Sequence, residues 1–304
     1  MTPLAHGIGS VRDLPVPASF FYTTAAIVLV VSFVALGALW KRPLLERHGG
    51  GRRLSGLLST ILLSAALRVG LQAVAVALLT LTLTAALFGT PVEIRNWAPT
   101  FVYVAFWVGI PVLSVALGNV WRVLSPWRAL ADAAVYALER AGREARPILP
   151  APTRLGRYPA AGALFAFVAL ELAHPRPADP RTLAVAIAIY TYWALAGMAL
   201  YGRDAWERQG EGFAVAFGLL ARIAPLAVRE GTVIARWPLV GLAGSDPTRG
   251  TTLVLAVMIG STSFDGFSRT SAWQGLVAEA RARAADVSPR VLDLLTMALG
   301  LAGL

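Results

Sequence analysis

The sequence predicts an all-α polytopic membrane protein, a transmembrane helical bundle of seven or eight spans. Hydrophobic residues make up 57% of the chain, and soluble domains contain about 45–50%. Only 14% of the residues are charged, against about 25% in soluble domains. The apolar residues also fall in long blocks that are joined by short, arginine-rich connections, which is the pattern of helices that cross a bilayer.

The order of the blocks predicts an extended outer arm over residues 1–19 and one transmembrane helical domain over residues 20–304. The first span covers residues 20–40, and the basic stretch after it should be cytoplasmic, which places the N-terminus outside. A cytoplasmic amphipathic segment is expected over residues 119–158. Further spans are predicted at residues 67–88, 100–118 with a bend at Gly109 and Pro111, 160–173, 182–201, and from Thr251 onward.

One segment, residues 213–228, is short for a span and carries Arg222 and Pro225. If it crosses, the polar stretch SFDGFSRT lies at the cytoplasmic end of the next span. If it lies on the surface, that stretch faces outside. Arginines at 281, 283 and 290 favour crossing. The chain ends in an apolar run of about 14 residues, shorter than a span, so we expect either that the chain is truncated or that a membrane-protein partner completes the run.

The net charge of +10 bears on the partners of the chain. In a membrane protein it indicates arginines beside anionic lipids at the cytoplasmic face of the cell (inner) membrane, and no nucleic-acid partner is expected. The chain contains no cysteine, which excludes disulfides, thiolate metal sites and cysteine nucleophiles.

The candidate catalytic site combines the ends of two spans. Asp265 and Arg269 follow one apolar run, and Asn119 and Arg122 follow another. An ionisable residue near lipid is costly and therefore marks a functional site by default. We expect these four side chains to share one pocket. Its binding residues would be Ser261, Thr262 and Ser263.

Two alternatives stand beside this site. Asp265 could pair with Arg122 or Arg269 only to hold spans together, or it could cap a helix. The segments GNVWRVLSPW and FDGFSRTSAW also resemble each other, which would fit two parallel four-span halves with a site between them. The other explanation is that arginine and tryptophan are common at every cytoplasmic interface.

A weaker metal site is suggested by an E-x-x-H pair, Glu171 and His174, which would lie on one helix face. His6 in the outer arm could join them. Histidine ligands would suit a divalent metal or copper. The alternative is a histidine at the membrane boundary and a carboxylate turned into the bundle.

AHGIGSVRDLPVP, VSFVALGALW, GNVWRVLSPWRAL and SFDGFSRTSAW resemble recurring blocks of actinobacterial polytopic membrane proteins identified as fenitrothion hydrolase or fenitrothion-hydrolase-like. The resemblance spans most of the chain and implies hydrolysis of a phosphorothioate triester through a metal-activated water. Two other functions stay open. The polar break near Asp265 favours a small-molecule or ion transporter, and the short C-terminal run favours an accessory subunit of a larger membrane complex.

Overall fold

The structure is a computed structural model, and it is mostly helical. Three of its helical stretches are long and apolar enough to cross a membrane, namely Gly56–Phe88, which consists of two successive helices, Trp97–Leu117 and Pro180–Tyr201. The predicted class of helical protein with apolar spans is confirmed to that extent. The described residues are 18–39, 51–243, 248–283, 288, 291, 292, 295, 302 and 303. Most of the predicted outer arm and of the C-terminal apolar run lies outside them.

Most element boundaries agree with the apolar blocks of the sequence. The helices are α1 (Ala18–Leu39), α2 (Gly56–Leu62), α3 (Ala65–Phe88), α4 (Trp97–Leu117), α5 (Trp121–Leu124), α6 (Pro126–Arg140), α7 (Tyr158–Leu172), α8 (Pro180–Tyr201), α9 (Arg203–Gln209), α10 (Gly212–Leu220), α11 (Thr251–Phe267) and α12 (Ser271–Arg283). The strands are β1 (Arg52–Arg53), β2 (Leu226–Arg229) and β3 (Thr232–Ala235), and short 3-10 turns lie at Glu93–Arg95 and Val240–Leu242.

The packed helices form a bundle, and two ends of this bundle can be defined from contacts between α7 and α11. Arg157, just before α7, donates from Nη1 to Thr251 Oγ1 at the start of α11, at 3.0 Å. Phe264 and Trp273 form an apolar cluster with Val168 near the end of α7. Helices α7 and α11 are therefore parallel neighbours. We call the end with Arg157 the basic end, and the end reached by Phe264 the opposite end.

Helix α4 continues without a break through Gly109 and Pro111, where a bend was predicted, and its hydrogen-bond pattern changes there. Its residues Phe101–Gly109 form a π-helical stretch that leads directly into Ile110–Leu117. The wider turn accommodates Pro111, which lacks an N–H to donate to the preceding turn. The helix ends at Gly118, whose φ is +94°. A Cβ there would lie 2.8 Å from the carbonyl oxygen of Leu226, so the approach of the next strand requires glycine.

A small sheet corrects the all-α prediction. The strands pair antiparallel in the order β1-β3-β2, with Ala227 opposite Ile234 and Arg52 opposite Ala235. Strand β2 begins within residues 213–228, the segment that the sequence left open between a span and a surface position, and β3 follows it directly. Pro225 follows α10 closely and cannot donate a backbone hydrogen bond, so the chain turns into a hairpin there.

Residues 213–228 form neither a single helical span nor a single surface helix, because α10 ends at Leu220 and β2 begins at Leu226. Helix α9 turns back along α8 into the bundle, because Trp206 lies between two glycines: a Cβ at Gly197 would be 2.0 Å from its indole and one at Gly210 would be 2.4 Å away. Deeper still, Trp193 Nε1 donates to the Gly210 carbonyl at 3.3 Å.

Helix α10 then returns to the basic end. A Cβ at Gly218 would lie 3.7 Å from Nδ2 of Asn119, and the charge of Arg222 acts on Arg157. Helices α9 and α10 therefore form a re-entrant hairpin that enters and leaves at the basic end. Because the chain does not cross there, the end of α11 lies at the opposite end of the bundle, and the preference for crossing was wrong.

Candidate site at a re-entrant helical hairpin

The tip of the hairpin carries a fully buried carboxylate, Glu211. Its Oε1 accepts hydrogen bonds from the hydroxyl of Tyr190 and from the backbone N–H of Phe213 at 3.1 Å. Its Oε2 accepts from Trp121 Nε1 at 3.1 Å and from the backbone N–H of Ala214 at 2.6 Å. Four donors thus surround one carboxylate, which is how a buried polar group avoids a large desolvation cost.

The local sequence explains why the chain turns at this depth. Gly210 and Gly212 flank Glu211, and a Cβ at Gly212 would lie 3.1 Å from the carbonyl oxygen of Ala160. Glu211 is also the N-cap of α10 and takes up two of its free N–H groups. Tyr190, whose hydroxyl reaches Glu211, precedes the end of α8 at Tyr201 by eleven residues, about 16 Å of helix, so the tip lies inside the bundle.

An ionic cluster closes the hairpin at the basic end. The Arg128 guanidinium, 14% exposed, contacts Glu207 and donates from Nη2 to Asp204 Oδ1 at 3.0 Å. Asp132 contacts Arg203 and accepts from Gln72 Nε2 at 3.0 Å. The cluster consists of Arg128, Asp132, Arg203, Asp204 and Glu207, and with Gln72 it joins α3, α6 and α9.

The cluster shifts the pKa values of its members in different directions. Burial raises the pKa of Glu207 to about 7, because the Arg128 charge only partly offsets it and Glu211 adds repulsion. Burial would also raise the pKa of Asp204, but hydrogen bonding to Arg128 and its charge lower it. Burial opposes the charge of Arg128, yet the carboxylates around it raise its pKa. Glu207 is therefore the carboxyl that can take a proton near neutral pH.

An apolar cavity of about 790 Å³ lies next to the hairpin tip, and Tyr190, Trp121 and Phe213 stand between it and Glu211 or line it directly. Its lining, all within the described part of the chain, carries no charged side chain and includes three indoles, those of Trp121, Trp127 and Trp193. Volume and lining are in the range of sites for drug-sized molecules. The polar atoms nearest to it, such as the hydroxyl of Tyr190, are already hydrogen-bonded.

The cavity exists because α7 and α8 stand apart although they are consecutive. Among the described helices, α7 packs mainly on α10 and α11, while α8 packs on α3 and α9. The facing sides of α7 and α8 line the cavity instead, with small residues such as Gly162 and Ala166 on α7. Both are exposed, so the cavity opens sideways between the two helices.

The structure does not bring the four predicted catalytic residues together. Asp265 and Arg269 lie at the opposite end, where they pair with each other at 3.0 Å. Asn119 and Arg122 lie at the basic end, beside Asp204, whose Oδ1 is 3.9 Å from Arg122 Nη2. The expectation of one shared pocket is wrong, and so is that of two parallel halves, since GNVWRVLSPW and FDGFSRTSAW end their helices on different sides. Of the alternatives left open, Asp265 does pair with Arg269, but the two residues are one turn apart at the end of α11, so the pair does not join two spans.

The predicted binding residues do not line the apolar cavity. The hydroxyls of Ser261 and Thr262 donate to the carbonyl of Met258, at 2.9 and 3.1 Å, within α11. Ser263 is exposed. The helix runs on past Asp265 and Gly266 to Phe267, so the predicted break is a helix end.

The residues of the predicted weak metal site do not come together as ligands in the described structure. The backbone N–H of Arg176 donates to Nδ1 of His174 at 3.2 Å, and Glu171 lies close enough to Asp265 for the two carboxylates to repel each other. His6 lies outside the described residues. Within those residues, histidines and carboxylates do not form a group of three or more that could hold a metal.

Sequence reasoning missed Glu211, Glu207 and Arg128, since residues 202–212 read as a loop between spans. One signal could have found the hairpin. Two arms of 7 and 9 residues, each too short to cross, flank the tripeptide Gly-Glu-Gly. Comparison of the chain with protein-family models, curated proteins and solved structures finds no match.

Proposed function

We propose that this integral membrane protein takes a neutral, lipid-soluble molecule from the bilayer into the cavity between α7 and α8. The observation that carries the proposal is an uncharged, aromatic-lined cavity of about 790 Å³ with a lateral opening. Apolar sites of this size bury most of a small ligand. The opening faces the region where a molecule dissolved in lipid would arrive.

The lining narrows the chemical class of the ligand. An ionised group would lose its hydration without gaining a partner, which strongly disfavours charged ligands. The rings of Phe106, Phe167 and Trp127 offer faces and edges for stacking an aromatic group. A compact neutral aromatic molecule therefore suits the cavity better than an amphiphile with an ionised headgroup.

Neutral organophosphate triesters belong to this class, which links the proposal to the hydrolase that the resemblance implies. We propose binding or passage ahead of hydrolysis. Within the described lining there is no carboxylate, imidazole or thiol that could activate a water molecule. Glu211 stands behind Tyr190 and Trp121 with its oxygens occupied. Release of a phenol from a triester by purified protein would restore the hydrolase as the first candidate.

Ligand binding can be tested by energy transfer from the tryptophans to N-phenyl-1-naphthylamine, with triphenyl phosphate as a competitor. We expect saturable transfer in the natural protein and its loss in Gly162→Leu, because the new side chain points into the cavity. Gly70→Leu is the matched control, since both glycines have open space around a Cβ but Gly70 does not line the cavity. Equal transfer in both variants would contradict the proposal, as would quenching by brominated lipid chains that the competitor cannot displace.

We also propose that α1, α3, α4, α7, α8 and α11 cross the cell membrane and that the basic end is cytoplasmic, which places the N-terminus outside. The arginines at the basic end support this orientation. Because the chain lacks cysteine, single cysteines report it cleanly. An impermeant maleimide should label Arg176→Cys in intact cells and Arg154→Cys only after permeabilisation. The reverse pattern would overturn the orientation.

A further inference from the structure

A second pocket, of about 200 Å³, lies at the basic end between the hairpin and α7. It is separate from the apolar cavity, because the two share no lining residue. Four arginines line it, and two carboxylates face them. We call it the arginine pocket, and its polar lining residues are Asn119, Arg122, Arg157, Asp204, Glu207, Arg208 and Arg222.

The charges around this pocket do not balance. Asp204 and Glu207 are engaged by Arg128, which stands outside the pocket, and Asp204 also lies 3.9 Å from Nη2 of Arg122, which leaves Arg157 and Arg222 without a carboxylate partner among the described residues. Arg157 is half-buried. It donates from Nη1 to Thr251 Oγ1 at 3.0 Å and from Nε to the Arg208 carbonyl at 3.3 Å. The guanidinium of Arg222 makes no hydrogen bond or ion pair with any described residue, and its charge opposes that of Arg157.

Two cations facing each other without a carboxylate between them are costly unless a ligand supplies negative charge. We propose that the arginine pocket binds a phosphate-type anion, either a free phosphate compound or the phosphate of a lipid headgroup. Guanidinium groups match the oxygens of such an anion with paired N–H donors. Nδ2 of Asn119 supplies a neutral donor, since its Oδ1 accepts from the N–H of Arg122 at 3.3 Å.

Glu207 is a second observation that points to a ligand. Its side chain is only 10% exposed, and its Oε1 is buried without a hydrogen-bond partner among the described residues. As a carboxylate it would repel an anion. As a carboxylic acid it would donate a hydrogen bond to one, and its pKa of about 7 permits this near neutral pH. Anion and proton should then bind together. The charged groups acting on Glu207 are Arg128 from α6, Glu211 from the tip and Arg122 from α5.

The decisive variant is Arg222→Gln, because it removes a guanidinium that supports no described contact. Calorimetric titration of the protein in phosphatidylcholine nanodiscs with inorganic phosphate should show binding about ten- to a hundredfold weaker than in the natural protein. The matched control is Arg154→Gln, which removes an exposed charge outside the pocket and should leave binding unchanged. Without an anion, Arg222→Gln should melt at the same temperature or higher, since a repulsion is lost. A lower melting temperature would mean that the Arg222 guanidinium stabilises the fold without a ligand, which contradicts the proposal.

The two sources of the anion are separated by adding phosphatidic acid to the nanodiscs. If the ligand is a lipid headgroup, phosphatidic acid should raise the melting temperature of the natural protein but not of Arg222→Gln. If the ligand is a free phosphate compound, inorganic phosphate should raise the melting temperature of the natural protein and phosphatidic acid should not. Sulfate, which does not titrate in this range, should bind more tightly at pH 6 than at pH 8, and Glu207→Gln should abolish the difference. Equal phosphate affinity in Arg222→Gln and the natural protein would overturn the proposal, as would stabilisation by neither source.

Discussion

The hairpin tip and the end of α11 place a carboxylate in similar sequence settings and in different physical ones. Glu211 and Asp265 each stand beside glycine at the edge of an apolar segment. Glu211 has no exposed surface and accepts four hydrogen bonds. The Asp265 side chain is 46% exposed and pairs with Arg269 one helical turn away. The comparison shows that a position beside an apolar run does not by itself distinguish a buried, hydrogen-bonded carboxylate from an exposed one. The number of donors around the carboxylate does.

The largest effect is expected from Glu211→Ala. The change leaves the Tyr190 hydroxyl, the Trp121 indole N–H and two backbone N–H groups of α10 without an acceptor inside the bundle. We expect a loss of about 4–5 kcal/mol in the free energy of unfolding, measured by denaturation in detergent micelles. Glu211→Gln should recover only part of it, since an amide nitrogen in place of Oε2 is a donor and can accept neither from Trp121 Nε1 nor from the Ala214 N–H. Wild-type stability in Glu211→Ala would mean that the tip does not hold the hairpin.

A smaller effect is expected from Gly197→Ala, which tests how α9 packs on α8. The added Cβ would lie 2.0 Å from the indole of Trp206, so the hairpin arm must shift. The expected loss is about 3 kcal/mol, observed as a lower melting temperature. Gly70→Ala is the control, because a Cβ there meets no atom within 4 Å, and it should be neutral or slightly stabilising. Similar behaviour of the two variants would argue against the packing of α9 inside the bundle.

The difference between the two regions also shows what sequence reasoning can reach. Long apolar blocks predict α3, α4 and α8 closely, because lipid demands a minimum helix length. The same rule failed for residues 213–228, where the segment is half a span and is buried by protein. Irregular turns at that depth are tolerated only where protein encloses them. The four partners of Glu211 come from α5, α8 and its own helix, and such long-range contacts leave no local periodicity to detect.

The third expected effect concerns pH and the ionic cluster. Glu207 has a pKa of about 7 in the folded protein, above the ordinary value of about 4.3. The folded state therefore binds the proton more tightly, and the stability from this group is lost as pH rises from about 4.3 through 7. Between pH 5 and 8 we expect the natural protein to lose about 1–2 kcal/mol more than Glu207→Gln. The test compares melting temperatures of both proteins across that range, and parallel curves would contradict it.

The smallest effect is expected from Asp265→Asn at the opposite end. The exposed pair with Arg269 is screened by water, and such pairs contribute about 0.5 kcal/mol or less. The substitution also weakens the repulsion between Asp265 and Glu171, which offsets part of that loss. The test measures the free energy of unfolding of Asp265→Asn and of Glu211→Gln by denaturation, because each variant removes one carboxylate charge from one of the two regions. Equal losses would mean that burial and donor number do not separate the two carboxylates. A loss confined to Glu211→Gln would locate the stabilising polar contacts at the hairpin tip.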